Sequence, residues 1–188
     1  MGIFCSGKNW FLETRYWYNR ILKVAKQYET KAFFAISNEA VFDQELEDFG
    51  LKKNGERLVG TDDQPMIAAD TNRGRYRMET NFSVENFAQF VQSVLDNQIE
   101  KFMKSEDEVT NSDNFVKVVV NKNFDQIVLN SPFNVFLMLF SPICGICRRL
   151  SVKLDELDQQ FINEDIIFAK MDIMANDIPP LFTDGLLL

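Results

Sequence analysis

Two cysteines two residues apart, Cys144-Gly145-Ile146-Cys147, stand where an apolar run ends and a helical pattern begins. The run 135–140 (VFLMLF) suits a strand. Beyond the cysteines, Leu150, Leu154, Leu157 and Phe161 fall on one helical stripe. Thiols at such a strand-to-helix junction can close a disulfide and reopen it. The amino end of a helix carries partial positive charge, which favours the thiolate of the first cysteine. The pattern therefore predicts a redox pair, Cys144 and Cys147. Two inert thiols or a static disulfide are the bland alternatives. A zinc site is poorly supplied, because one such pair gives two ligands where structural zinc takes about four.

Composition narrows the chemistry. The chain has 188 residues and no histidine. That removes Ser-His-Asp triads, Cys-His protease pairs and His-containing metal sites. No metal or other cofactor is called for. A net charge of −8 makes a nucleic-acid backbone or an anionic membrane surface a poor partner. No run approaches the ~20 apolar residues of a membrane span. The three cysteines do not make a disulfide framework, and Cys5 reads as a small buried hydrophobe. The first five residues lack the basic start and long apolar stretch of a signal peptide, and the last four are not a retention tetrapeptide. On the chain as given, these features point to the cytoplasm.

Along the chain, strands and helices alternate, which argues an α/β fold with parallel pairing. Residues 10–28 read as an amphipathic helix, 31–36 as a buried strand, and Asn38 as the cap of a helix ending before Gly50. Residues 52–63 are polar and turn-rich, and 65–71 and 75–80 form a hairpin. Ser83 opens a long helix whose apolar stripe runs from Val84 to Phe102. The polar stretch 105–114 reads as a linker between a domain at 1–104 and another at 115–188. After it come a strand at 115–120, a short helix at 123–129, the strand before the cysteines, their helix, and a strand at 165–171. The two halves share a layout, which suggests tandem copies of one fold. The first copy is short at its amino end unless residues 2–5 supply its opening strand.

Several segments in order resemble the protein disulfide isomerases: 115–120 (FVKVVV), 123–128 (NFDQIV), 141–147 (SPICGIC), 168–172 (FAKMD) and 175–179 (ANDIP). These are similar to the last catalytic domain of the calnexin/calreticulin-associated type and its three-active-domain relative. Segments 16–26 (YWYNRILKVAK) and 48–51 (DFGL) resemble the preceding non-catalytic domain. The resemblance implies two tandem thioredoxin-like domains, the second truncated at its carboxyl end. It implies the lumen of the endoplasmic reticulum and thiol-disulfide exchange during protein folding, with unfolded or disulfide-containing secretory polypeptides as partners. Asp62, Asp63 and Asp70 stand where relatives that bind lectin chaperones are basic, which weighs against that partner, although Arg73, Arg75 and Arg77 lie nearby.

The chain departs from the family's Trp-Cys-Gly-His-Cys motif. Ile143 stands at the Trp position and Ile146 at the His position. An isoleucine offers the thiolate neither charge nor hydrogen bond, so Cys144 should be less acidic and its disulfide less oxidising. Met138 replaces a buried glutamate, and Val152 a helix-bending proline. Lys170, the partner of that glutamate, either approaches the site or turns outward, and the cost of burying an unpaired charge favours water. Leu187 stands near the position of the proline that faces the disulfide, and the domain's last strands and helix are expected to be missing. Arg148-Arg149 could orient acidic clients or simply solvate the helix. The aromatic cluster Trp10, Phe11, Tyr16, Trp17 and Tyr18 could hold peptide or meet a neighbouring domain. The reading is a weak thiol-disulfide oxidoreductase, with Cys144 attacking and Cys147 resolving. The alternative is a redox-inactive module that binds clients or chaperones.

Overall fold

Residues 2–7 (GIFCSG) decide whether the first half can close a sheet, and in the computed structural model they do. The structure describes residues 1–7, 10–110 and 116–179, without the side chains of 10–14. The chain divides into two compact units, Met1–Phe102 and Met103–Leu188. In the first, β1 (Gly2–Gly7) is an inner strand. It runs parallel to β2 (Phe33–Asn38) and antiparallel to β5 (Met66–Thr71). With β6 (Gly74–Arg77) the sheet order is β2-β1-β5-β6. Helices α1 (Trp10–Ala25) and α3 (Val84–Leu95) cover one face, burying Ile3, Cys5, Ile21, Val24, Phe87 and Val91.

Several expectations shift once the strands are in place. The segment expected as a buried strand, β2, lies at the sheet edge with Phe33 83% exposed. Only its alternate residues Phe34 and Ile36 pack on the core. Ser83 does cap α3, its Oγ accepting the Asn86 N–H at 2.9 Å. That helix stops at Leu95 rather than Phe102. Asn97 takes a φ of 56°, and the Phe102 N–H donates to the Arg75 carbonyl at 2.7 Å, so the tail of the apolar stripe returns to the sheet. The opposite face is covered by α2 (Asp43–Asp48) over Leu46, Leu51, Met66 and Ala68. Asn38 does not cap it; its Oδ1 accepts the Ala40 N–H at 3.0 Å in a local turn. Gly50 ends α2 with a φ of 64°.

The polar stretch after α2 contains a small hairpin. β3 (Lys52–Lys53) and β4 (Glu56–Arg57) are joined by Asn54 and Gly55, both at positive φ. The hairpin carries two cations to the buried Glu39. Arg57 Nη2 lies 2.6 Å from Glu39 Oε2, and Lys52 Nζ lies 3.4 Å from Glu39 Oε1 while also pairing with Asp43. The Asp43 hydrogen bond, joined by Glu39 and opposed by burial, holds the Lys52 ammonium above the usual lysine range. The arginines of the β5-β6 hairpin serve helix ends. Arg73 donates to the Val94 carbonyl at 2.9 Å, Arg75 to the Asp48 carbonyl at 2.7 Å, and Arg77 to the Gly50 carbonyl at 2.6 Å.

The second unit has three parallel strands, in the order β7-β9-β8. β7 (Lys117–Val118) is much shorter than the apolar run around it. The Val119 N–H still donates to the Lys170 carbonyl of β9 at 2.9 Å, and the chain then turns into a 3-10 turn at Asn121–Asn123, followed by a π-helical turn at Asp125–Leu129. β8 is Asn134–Phe140, α4 is Gly145–Gln160 and β9 is Ile166–Asp172. Val119, Phe124, Ala169 and Met171 are buried on one face, and Val116, Leu154 and Phe168 on the other. Lys104 to Glu106 are tied to this unit through Asn176 and Asp177. The buried Asn176 Oδ1 accepts from Glu106 N at 2.9 Å and Asn121 N at 3.2 Å, and its Nδ2 donates to Glu106 Oε2 at 2.8 Å.

Removing Arg57 leaves Glu39 buried beside a single cation. Arg57→Leu is expected to cost about 3 kcal/mol in urea unfolding. A loss below about 1 kcal/mol would show that the network contributes little. Because the Lys52 pKa is raised on folding, its contribution is complete below the unfolded lysine value and is lost as pH climbs through the folded one. The wild-type protein should therefore lose urea resistance above roughly pH 10, with a slope that Lys52→Met reduces.

Candidate redox site

The site is built at the carboxyl end of β8, where the strand hands the chain to α4. Ser141 and Pro142 make the turn, and the Cys144 N–H donates to the Ser141 carbonyl at 3.0 Å. Cys144 then occupies the cap position of α4 in extended backbone, with φ −79° and ψ 105°. Its Sγ accepts the Cys147 N–H at 3.1 Å, which satisfies one free amide of the first turn. A Cβ at Gly145 would have only the Arg148 guanidinium near it, at 4.0 Å, so the cap would accept a side chain at this position.

Cys144 and Cys147 are joined in a disulfide, with Cα atoms 5.2 Å apart. Both are half-buried, so exposure does not distinguish the attacking from the resolving cysteine. The residues that frame them are apolar and open. Ile143 is 85% exposed and Ile146 61% exposed, with Leu150 exposed one turn further along α4. Neither isoleucine brings a polar group to the sulfurs. Arg148 and Arg149 are exposed on the same helix. Cys5 is remote in role: it is fully buried in β1, and burial pushes its thiol far above the usual cysteine value.

Of the two orientations open to Lys170, the structure shows an intermediate one. It lies half-buried on β9, opposite Met138 in the ladder, and its Nζ reaches Ser151 Oγ at 3.5 Å. Ser151 is four residues after Cys147 on α4, so it lies one turn below that cysteine on the same helical face. The period of α4 carried that information, but a serine in a polar stretch gave no reason to use it. Of the aromatic cluster on α1, Tyr16 and Tyr18 are exposed, while Trp17 packs edge-on against Phe82 with ring centroids 5.2 Å apart. The side chains of Trp10 and Phe11, and the segment containing Leu187, lie outside the described residues.

Comparison with known proteins agrees with this architecture. Residues 115–180 match the family model described as Thioredoxin. Over 173 residues the chain is 36% identical to "Protein disulfide-isomerase A3" of Gallus gallus, covering 88% of this chain and 33% of that protein. It is 31% identical to "Protein disulfide-isomerase A4" of Bos taurus over 167 residues, covering 88% of this chain and 25% of the relative. It is 37% identical to "Protein disulfide-isomerase" of Ricinus communis over 134 residues, or 70% of this chain and 25% of that one. The chain thus spans about a quarter to a third of the length of the curated relatives it matches.

The burial pattern sets the thiol accessibilities. After reduction of the native protein, a soluble disulfide reagent should label the Cys144 and Cys147 thiols, and Cys5 should react only on denaturation. Rapid labelling of all three thiols in the native state would contradict the packing of β1.

Proposed function

A relative of the protein disulfide isomerases over 88% of its length, with a thioredoxin domain in its second unit, this chain is, we propose, a thiol-disulfide oxidoreductase that assists the folding of disulfide-containing polypeptides. The observation that carries the reading is the Cys144–Cys147 disulfide at the amino end of α4. In the oxidising direction a client thiolate attacks Cys144 Sγ, the Cys144–Cys147 bond breaks, and its electron pair leaves on Cys147. The second client thiolate then attacks the client sulfur of the mixed disulfide and releases Cys144 as thiolate. Two electrons pass from client to protein, and the client's two thiol protons are available to the two cysteines. Read backward, the same steps reduce a client disulfide, with Cys144 attacking and Cys147 resolving.

The direction favoured by this site is reduction. With Ile146 beside the sulfurs and no imidazole, the Cys144 thiolate draws its stabilisation from the helix terminus and the Cys147 amide. A less stabilised thiolate makes a weaker oxidant. We assign the redox role to residues 115–188 and client holding to residues 1–104, with 105–114 between them. The kinship over 88% of the chain supports clients that are secretory polypeptides and a setting in the endoplasmic reticulum lumen. Among the described residues no helix is long and apolar enough to cross a membrane. A lectin chaperone is not part of the reading, because Arg73, Arg75 and Arg77 are already bonded to backbone carbonyls.

The Cys144→Ser/Cys147→Ser double variant should lose assistance in the oxidative refolding of a reduced polypeptide, while still binding it. Undiminished assistance would replace the enzyme reading with that of a binding module. The single Cys147→Ser variant should accumulate a mixed disulfide through Cys144, seen by mass as protein plus client. Restoring the imidazole with Ile146→His should lower the Cys144 titration midpoint by about one pH unit, read by thiolate absorbance. An unchanged midpoint would remove the assigned cause of a weak oxidant.

A further inference from the structure

The charges at the amino end of α4 run against the helix. Arg148 and Arg149 stand there, and no carboxylate of α4 precedes Asp155. A helix is positive at that end, so cations oppose its dipole instead of supporting it. Further along, Lys153 is paired with Glu156 at 2.7 Å. Arg148 and Arg149 are exposed, and among the described residues neither guanidinium has a hydrogen bond or an ion pair. Arg148 lies one turn along the face of Cys144, and its guanidinium stands 4.0 Å from where a Cβ of residue 145 would be. Arg149 follows Ile146 on the neighbouring stripe. At the same end of the sheet Asp172 stands opposite Phe140, and its Oδ1 accepts the Met174 N–H at 2.8 Å. The disulfide is thus flanked by the exposed Ile143 and Ile146 and by two cations with nothing to hold.

We propose that Arg148 and Arg149 are a docking surface for acidic clients, taking segments whose carboxylates lie about two residues from the reacting cysteine. The proposal rests on the redox reading of Cys144 and Cys147 and names the substrate class of that site. Exchange needs a client sulfur at bonding distance from Cys144 Sγ, so the client chain must lie over the start of α4. One helical turn is about 5.4 Å and an extended chain advances about 3.3 Å per residue, which sets the spacing. A guanidinium suits a carboxylate because it offers two parallel N–H donors. The net charge of −8 does not cancel this attraction, since exposed charges beyond about 8 Å are largely screened at physiological salt. The arginines take no part in the bond changes. When the Cys144 thiolate attacks a client disulfide, a Cys144–client bond forms, the client's own S–S bond breaks, and its electron pair leaves on the departing thiolate.

The test uses the full chain, reduced and carrying Cys147→Ser, so that a mixed disulfide at Cys144 persists while the buried Cys5 stays silent. The probes are two short peptides, each with one cysteine held as a mixed disulfide with thionitrobenzoate. One has leucine beside the cysteine and two aspartates beyond it; the other has lysines in place of the aspartates. Attack at the peptide sulfur releases coloured thionitrobenzoate, which gives the rate. At low salt the acidic peptide should react about tenfold faster than the basic one, and the ratio should approach one near 1 M salt. Arg148→Gln/Arg149→Gln should bring the ratio below about two, and Arg148→Lys/Arg149→Lys should keep most of it. Circular dichroism confirms the fold of each variant. The ratio is the readout because an effect of the arginines on the Cys144 thiolate alone would change both rates alike. A parent ratio below about two at low salt, or a ratio that the glutamine variant leaves in place, would overturn the proposal. No release from either peptide would reject the redox reading itself, whereas release from both at one rate would reject the client class alone.

Discussion

The turn from β8 into α4 is closed by one contact, the hydrogen bond from the Cys147 amide to Cys144 Sγ at the start of the helix. It makes Cys144 both the cap of the helix and one half of the redox pair, so local stability and chemistry share an atom. The rest of the second unit holds that junction still. β8 runs parallel to β9 over seven paired residues, which aims the turn at Ser141 and Pro142. Leu154 anchors α4 on Phe168, and Asn176 closes the loop after β9 onto the chain before β7. The reacting groups therefore sit on the ends of packed elements rather than on a free loop, which is where small errors of placement are least tolerated.

The chain balances this site differently from the pattern its relatives suggest. Above the sulfurs, Ile143 and Ile146 present apolar surface to water. Below them, Met138 leaves the ladder position next to Lys170 without a carboxylate. The first unit shows a separate economy of charge. Glu39 is buried with two cations converging on it, and three arginines of one hairpin close helix ends. Those cations hold the fold and are not presented as a basic surface.

Much of this was legible in the sequence, for identifiable reasons. Apolar runs and the CxxC spacing placed β8, α4 and β9, because the strand period and the helix period each leave a plain mark. Ser83 and Gly50 were readable because caps depend on one residue. The edge position of β2 was not, since Phe33 is apolar in composition and only strand order reveals that its side chain is exposed. The end of α3 was missed because Ile99 and Phe102 keep the apolar spacing after the backbone has turned at Asn97. The Asn54-Gly55 turn was hidden among polar neighbours although the dipeptide itself is a turn signal. The nearness of Lys170 to Ser151 was not legible, because Ser151 is uncharged and lies on another element.

The central claim is that Cys144 and Cys147 form a reversible couple tuned toward the reduced state. The most direct measurement is the equilibrium of the pair with glutathione redox buffers, read as the fraction of protein alkylated on both cysteines. The account predicts one two-electron transition, lying at a more reducing poise than that of the Ile146→His variant. A pair that never exchanges with glutathione, or a transition that the histidine leaves in place, would contradict it.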